Sequence, residues 1–565
     1  MWISKIKMTI GRHLASPLLL AASLFLLCLF AQAAETDVIR VGLYFGNNAL
    51  PTANLANESG KGYRFGFYDS AGAFAAVGFT DCEKITICKD MNFYLANGVY
   101  SESKPEKTDR LVGAYHLQTS SVYDSFEAAL AASGDYPYGF PAYVGGNFVV
   151  RFEFYSTVGN AQADVSKYGA VSVVGGSTSC YTVVNTATGE ILFEFDSASA
   201  PFAVSPGRDG TTVQTWFKGV RYYGDFQYER RNGNDMTVVN VVPTDLYVGC
   251  VLPCEFVCSG GQESLKAGAV AVRTYAKATT KHRPNGFDVC TSTDCQVYRG
   301  VYTGSTASAA MSAAQETSGK CLYYDGKLIQ ALFYAANGGA IESAVNTWGT
   351  SFPYLIAQKD PYEDSITFPS QSWQYTVTPA QLRTFLINHG YSCADIVSME
   401  VTQTTEIGNV NRVVITDSAG KTITFSRDNV RLLQNLPGVT YFSRKFTITP
   451  NYTGGVIENT GEITPLPVTD GEKTESVAEL FVATASGIKR VVLPVTVRTE
   501  NGLISYGGSS SQRVVGGELT GWTIAGRGFG HNVGLSQWGA YAMAAQGFTY
   551  EQILQFYYPG TTLGS

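Results

Sequence analysis

Charge is scarce in this 565-residue chain: Asp, Glu, Lys and Arg together make up 15%, against about 25% in a typical soluble domain. Basic residues do not outnumber acidic ones, since 40 Lys and Arg face 47 Asp and Glu for a net charge of −7. Binding driven by counterion release from nucleic acid needs the opposite balance or a dense basic patch, so nucleic acid is not an expected partner. Histidine occurs five times, at 13, 116, 282, 389 and 531, which argues against a multi-histidine metal enzyme. No long apolar run follows the first thirty residues. What is abundant is glycine (59), tyrosine (34) and phenylalanine (31), within 45% hydrophobic residues. That is enough apolar material for real cores, in a β-rich chain of about three or four domains.

Lys5, Lys7, Arg12 and His13 precede an apolar run over 14–30, which ends in Ala31-Gln32-Ala33-Ala34. A basic start, an apolar middle and a small-x-small end describe a secretory signal over residues 1–34, cleaved after Ala33 or Ala34. The run is slightly long for a signal and slightly short for a full span, so an uncleaved single anchor is the alternative. Cys28 follows Leu27 rather than a small residue, which argues against a lipoprotein. The expected address is extracytoplasmic, with the membrane reached only through that anchor. Ten further cysteines lie at 82, 88, 180, 250, 254, 258, 290, 295, 321 and 393. The close spacings 82/88, 254/258 and 290/295 each fit either a disulfide or a metal pair.

Residues 35–112 read as short alternating strands punctuated by Gly and Asn turns. Over 113–170 the pattern becomes βαβα, with strands near 114–118 and 148–154 and helices near 121–132 and 161–168. This stretch resembles a SPOR domain, a module that binds peptidoglycan strands stripped of their peptides. The residues carrying the likeness are Tyr115-His116-Leu117-Gln118-Thr119, 123–131, Phe140-Pro141-Ala142-Tyr143 and Phe148-Val149-Val150-Arg151. A small α+β packing module is the alternative. Strands resume from 171 to 250. A helix follows, with Ser259-Gly260-Gly261-Gln262 at capping-box spacing and Leu265, Ala269, Val272 and Ala276 on one face. Strands are expected across 296–450, an insertion or peripheral β element over 451–515, and dense signal again over 516–565. The expected fold class is therefore α+β, β-rich and multi-domain, with a long curved antiparallel sheet, a few helices and the small βαβα module.

Two clusters carry chemistry. The first contains Pro253-Cys254-Glu255 and, ten residues on, Leu265-Lys266-Ala267-Gly268-Ala269-Val270-Ala271-Val272-Arg273-Thr274-Tyr275. The second is Gly528-Phe529-Gly530-His531-Asn532-Val533-Gly534-Leu535-Ser536-Gln537-Trp538-Gly539-Ala540. Between them lie Gly338-Gly339, Glu342, Trp348, Pro353-Tyr354-Leu355 and Asp360. In this order they resemble the SpoIID family of stage II sporulation protein D and amidase-enhancer-like proteins, whose members share P-x-E-M, L-K-A-Q-A-V-A-A-R-T-Y and G-H-G-V-G-M-S-Q-x-G-A. The likeness covers roughly 205–450 and 516–561. It implies a catalytic domain over 171–450, completed by 516–565, that acts as a lytic transglycosylase on denuded peptidoglycan glycan strands in wall remodelling or sporulation. A non-catalytic wall-binding enhancer of a cell-wall amidase is the alternative function.

By the match to P-x-E, Glu255 is the expected catalytic acid. Glycosidic cleavage passes through an oxocarbenium-like state and needs a proton on the leaving oxygen. One carboxyl suffices when the sugar's own C6 hydroxyl replaces water, and no cofactor is required. Apolar neighbours Leu252, Pro253, Phe256 and Val257 would raise its pKa; without the family likeness, a Glu capping the next helix would be the better reading. Lys266 and Arg273 lie two turns apart on one helix face and are either glycan-holding charges or, for Lys266 above all, a local pair with Glu263. The resemblance adds Gln296, Tyr298, Gly338, Gly339, Glu342, Tyr354, His531, Ser536 and Gln537 as substrate-binding candidates, with His531 either contacting ligand or pinning its loop. Gly268 and Asn532 depart from the family's Gln and Gly; Asn tolerates a left-handed backbone better than most residues. Some members carry zinc at a His/Cys cluster, which here points to His282, Cys290 and Cys295 as a structural site. Asp294 stands where such members offer a second His, so a Cys290–Cys295 disulfide is an equal alternative. A local disulfide among Cys250, Cys254 and Cys258 is expected to rigidify the turn at Glu255, because Pro253 disfavours a helix there.

Overall fold

The structure, a computed structural model, describes residues 37–565 apart from 58–60, 109, 211–212, 257–260, 454–455, 460–465, 470–473, 478–479, 485–486, 492–494, 500–501, 507–511 and 516–517. The expected leader over 1–34, Cys28, Cys258 and Ser259 lie outside the described residues. No described helix is long and apolar enough to cross a membrane. The fold is α+β and β-rich, and it divides into two compact units. One comprises residues up to 335, 353–355 and 534–565; the other comprises 336–352 and 356–533.

The first unit is built on two sheets. A seven-stranded sheet runs Val289–Cys290, Val38–Tyr44, Met236–Pro243, Asp225–Arg230, Phe202–Pro206, Tyr63–Tyr68, Phe74–Thr80. The Val38–Tyr44 strand shows why: Ile39 and Val41 alternate with polar or half-exposed neighbours and are buried, the period-2 pattern of a one-sided sheet. A ten-stranded sheet faces it, and rings interleave between the two, with Phe65 stacked on Phe193 at 5.2 Å and Tyr181 on Phe202 at 5.5 Å.

The 113–170 region forms one end of the ten-stranded sheet. Its elements run Tyr115–Thr119, helix Phe126–Ser133, Phe140–Val144, Asn147–Tyr155, helix Val158–Tyr168, Val171–Gly175. The pattern is β-α-β-β-α-β, with the four strands in spatial order fourth, first, third, second. Two strands were therefore missing from the βαβα expectation, and this is the split-βαβ arrangement. The module is not a free-standing sheet: Phe140–Val144 pairs in parallel with Ile191–Asp196. Beside that seam lies a buried charge network. His116 Nε2 is 3.1 Å from Glu194 Oε1, and Arg151 reaches Glu194 at 2.9 Å and Asp196 at 3.2 Å.

Helices follow Met236–Pro243 of the seven-stranded sheet. The strand expected to continue to 250 ends at Pro243, and Thr244–Glu255 is a helix containing Pro253. Pro253 falls in the last turn, where its missing N–H removes only the bond to the Gly249 carbonyl, so the helix ends two residues later rather than failing. Gln262–Ala278 is the expected long helix, with Leu265, Ala269, Val272 and Ala276 buried on one face. Gly261 at φ +84° occupies its N-cap position, so the helix starts later than the capping-box spacing implied. Near the C-terminus Ser536 caps Gln537–Ala545, and a full capping box of Thr549 and Gln552 opens Tyr550–Tyr557.

The second unit has a core around Trp373, Phe385, Phe425, Phe442, Phe446 and Trp522, covered by small antiparallel sheets. The stretch expected to be all strands over 296–450 also holds helices Ala307–Glu316, Ala344–Trp348 and Pro379–Asn388. The residues of 451–515 that are described form short antiparallel ladders such as Leu466–Thr469 with Thr474–Val477.

Candidate functional site

In the first unit the site is assembled where helix Thr244–Glu255 ends. Glu255 is its last residue and is half-buried. Phe256 turns back over helix Gln262–Ala278, with its ring packed on Phe333 at 5.0 Å. A Cβ at Gly268 would come within 2.9 Å of the Phe256 ring and 3.1 Å of Leu252. The glycine at 268 is thus the space this ring occupies. Burial pushes the Glu255 carboxyl above its ordinary range, against a smaller opposing pull from the Val297 N–H donated to one of its oxygens. A carboxyl so raised carries a proton to higher pH, as a general acid must.

The segment that supplies Val297 is held on both sides. Gln296, fully buried, accepts from Tyr247 Oη at 2.7 Å and donates to the Val272 carbonyl at 3.3 Å. Tyr298, also buried, donates its hydroxyl to Asn240 at 2.8 Å. Upstream on the same segment, His282, Cys290, Asp294 and Cys295 place one donor atom each within 4.8 Å of one another. His282 Nε2 is buried without a hydrogen bond and lies 3.5 Å from Asp294 Oδ2. One imidazole, two thiols and a carboxylate are a four-donor set of the kind zinc takes in tetrahedral sites, so the residues fit that ion. Asp294, read from sequence as a weakness of the site, completes the set. Cys290 and Cys295 are unbridged, as are the other described cysteines, so of the local disulfide expected among Cys250, Cys254 and Cys258 the Cys250–Cys254 form is not made; a pairing with Cys258 lies outside the described residues.

Most of the remaining candidates in this unit hold protein rather than face outward. Arg273 is 0% exposed: Nη2 meets Asp245 Oδ1 at 2.8 Å and the Ala314 carbonyl at 2.9 Å, and Nη1 meets the Lys320 carbonyl at 3.2 Å. It ties its helix to Thr244–Glu255, to the Ala314 carbonyl near the end of Ala307–Glu316 and to the Lys320 carbonyl beyond it, which corrects its reading as a glycan contact. Lys266 bridges Glu263 at 2.9 Å and Glu316 at 2.8 Å, the local pairing given as its alternative. Ser536 is a buried helix cap, accepting from Gly539 N at 3.1 Å. Tyr354 is buried, its hydroxyl accepting from Gln330 N at 3.1 Å. Gln537, at the start of its helix, is half-buried.

The second unit carries Gly338, Gly339, Glu342 and His531. Gly338 sits at φ +69° in a turn whose amides are clamped, Asn337 N and Gly338 N both donating to the buried Glu363 carboxylate at 2.8 and 2.9 Å. Glu342 is wholly buried, and its oxygens accept from Ser343 N, Asn346, Thr405 and Asn409 at 2.8–3.1 Å. It shapes the loop from within and presents no surface to a glycan, contrary to the sequence expectation. Its own N–H donates to the Asn532 carbonyl at 2.6 Å, joining it to the His531 loop. Asn532 adopts φ +66° as expected of a left-handed Asn, and donates Nδ2 to the Asn337 carbonyl at 3.1 Å. His531 is half-buried, accepts from Val533 N at 3.1 Å and lies 5.3 Å from the Trp348 ring. Sequence reasoning missed the Val297 amide and the Glu363 clamp, and a backbone donor leaves no signal in residue type.

Comparison with known proteins bears on this arrangement. The family model described as SpoIID, stage II sporulation protein, matches residues 232–324, which span Glu255, both helices and the four-donor cluster. The amidase enhancer of Bacillus subtilis (strain 168) is 31% identical over 325 residues, covering 56% of this chain and 40% of that protein. An uncharacterized protein of Brachyspira hyodysenteriae (strain ATCC 49526 / WA1) is 30% identical over 359 residues, 63% of this chain and 74% of its own length. The stage II sporulation protein D of Bacillus subtilis (strain 168) is 24% identical over 339 residues, 58% and 75% of the two chains. The match thus spans less than half of the amidase enhancer and about three-quarters of the other two.

Proposed function

The chain belongs to the SpoIID family, and from that premise we propose that it is a lytic transglycosylase of the cell wall, with Glu255 as its single acid and base. Protonated Glu255 gives its proton to the glycosidic oxygen as the C1–O bond breaks. The C6 hydroxyl of the same sugar then closes on C1, its proton passes to the Glu255 carboxylate, and a 1,6-anhydro end results. The observation that carries this reading is the setting of Glu255: half-buried, its pKa raised by burial, and oriented by one amide. In the first unit Lys266 and Gln537 are the candidates left for contact with the strand, among the buried Arg273, Gln296, Tyr298, Tyr354 and Ser536; in the second His531 is the candidate, with the buried Glu342 bonded to its loop. Zinc at His282, Cys290, Asp294 and Cys295 would cross-link the segment leading to Val297 without entering the reaction. The 113–170 module is assigned to holding denuded strands, on its SPOR-like residues and its split-βαβ order. The site of action is extracytoplasmic, at the wall.

A second reading has its own support, since one relative is named an amidase enhancer: the chain would bind strands and stimulate an amidase without cutting. Digestion of amidase-stripped glycan strands, read by mass spectrometry, separates the two. Anhydro ends that vanish with Glu255→Gln are the expected result. Bound but uncut strands would establish the enhancer, and reducing ends would mean a hydrolase with a second carboxylate.

A further inference from the structure

In the second unit an exposed cation stands beside an exposed aromatic. Trp348 ends the short helix Ala344–Trp348 and keeps 39% of its surface open, with His531 tilted 59° against it. The next residue, Gly349, caps the helix at φ +83°. The guanidinium of Arg427 occupies the space a side chain at 349 would need, its Cζ 3.4 Å from where a Cβ would sit. Arg427 itself is exposed and held at φ +56°, a conformation costly for a long L side chain and found where surrounding structure imposes it. Among the described residues it has no ion pair or hydrogen bond. The carboxylates nearby are engaged: Asp428 pairs with Arg431 at 3.4 Å, Glu342 is saturated, and Glu406 accepts from Asn346 at 3.3 Å. A strained backbone thus presents an unneutralised guanidinium against Gly349, the residue that follows Trp348.

We propose that Trp348, His531 and Arg427 form a subsite for the sugar of a denuded strand that bears a lactyl ether, the ring stacking on Trp348 and the lactyl carboxylate pairing with Arg427. The inference rests on the glycan-strand reading above and adds to it the group that is recognised. Once the peptide is gone, that carboxylate is free, and a guanidinium takes a carboxylate by two parallel charge-assisted bonds. A chitin oligomer offers the same pyranose faces without the acid, so Arg427 gives the subsite its preference and Trp348 its general hold on sugar.

The test uses the full chain carrying Glu255→Gln, so that strands are not consumed. Hydroxyl-radical footprinting reads oxidation of Trp348 by peptide mass spectrometry while denuded strands or chitohexaose are titrated in. Because the readout is local, binding by the 113–170 module does not mask it. Denuded strands are expected to protect Trp348 at roughly tenfold lower concentration than chitohexaose. Arg427→Gln should erase that difference and leave chitohexaose protection unchanged, while Arg427→Lys recovers part of it. Protection by strands that is indifferent to Arg427→Gln overturns the inference. So does an unprotected Trp348 in a protein that still binds strands or, with Glu255 restored, cuts them; the transglycosylase reading survives that result. A chain that neither binds nor cuts strands overturns the reading and the subsite together.

Discussion

Arg273 is the sharpest place to separate a structural charge from a ligand. Arg273→Leu removes a guanidinium that is 0% exposed and bonded to Asp245, Ala314 and Lys320. Losing one partner of a buried pair costs about 3–5 kcal/mol. The lower half of that range applies here. Asp245 keeps 31% of its side-chain surface open and retains the Ser318 hydroxyl, whereas the two carbonyls are left unpaired at about 1–3 kcal/mol each in the buried limit. A loss of about 3–4 kcal/mol, at a urea slope of about 3 kcal/mol/M, moves the unfolding midpoint of the first unit down by about 1 M. Arg273→Lys restores one charge but not the fork that reaches both carbonyls, so it should fall between the two. Urea titrations followed by far-UV circular dichroism give the number. An Arg273→Leu protein with an unchanged midpoint and weakened strand binding would refute the assignment and return Arg273 to the ligands.

Gly268→Gln restores the family's residue and drives a Cβ into the Phe256 ring. Overpacking of about 1–3 kcal/mol outweighs about 1 kcal/mol of helix propensity, so a lower thermal midpoint is expected; a higher one would mean the ring has somewhere to go. The Glu255 carboxyl is raised by burial, so folding is most favourable below the unfolded pKa and loses stability as pH rises through the folded value. Glu255→Gln should therefore gain on wild type from pH 4 to pH 7, and equal stability at both would contradict the burial argument. Asp90 is pushed up to about 7, chiefly by burial and then by the nearby Glu194, with Ser177 N, His116 and Arg151 opposing. Asp90→Asn is expected to match wild type near pH 4 and exceed it at pH 8, by an amount on the order of 3–4 kcal/mol at most. A constant offset across that range would remove Asp90 as its source.

What the sequence made legible is what periodicity and short motifs encode. The long helix showed its buried face in Leu265, Ala269, Val272 and Ala276. The helix bearing Glu255 was hidden because Thr244–Glu255 is buried on most sides and so has almost no amphipathic period, and because Pro253 argued locally against it. Pro379–Asn388 was legible but overlooked: Thr378, Pro379 and Gln381 are a capping box with proline at its first position. Among the site residues, type and motif identified Glu255 but could not tell inward charges from outward ones. Arg273 and Glu342 were expected as ligands from the family resemblance, but each is a buried charge held by groups that include some far away in sequence, Ala314 for Arg273 and Thr405 and Asn409 for Glu342.

The two departures from the family pattern bear on whether the chain cuts or merely binds. Gly268 lacks the family's side chain, and the Phe256 ring lies in the vacated space, over the end of the helix that carries Glu255. Asn532 replaces a glycine, yet takes the left-handed backbone a glycine would take and adds a bond to the Asn337 carbonyl. A buried, raised carboxyl at Glu255 is what the proposed cleavage asks of an acid and what strand binding alone does not require. The first change leaves room for the ring of Phe256, the residue after Glu255, and the second keeps a left-handed turn beside His531. Neither change removes Glu255 or its raised carboxyl, so both are compatible with the proposed cleavage.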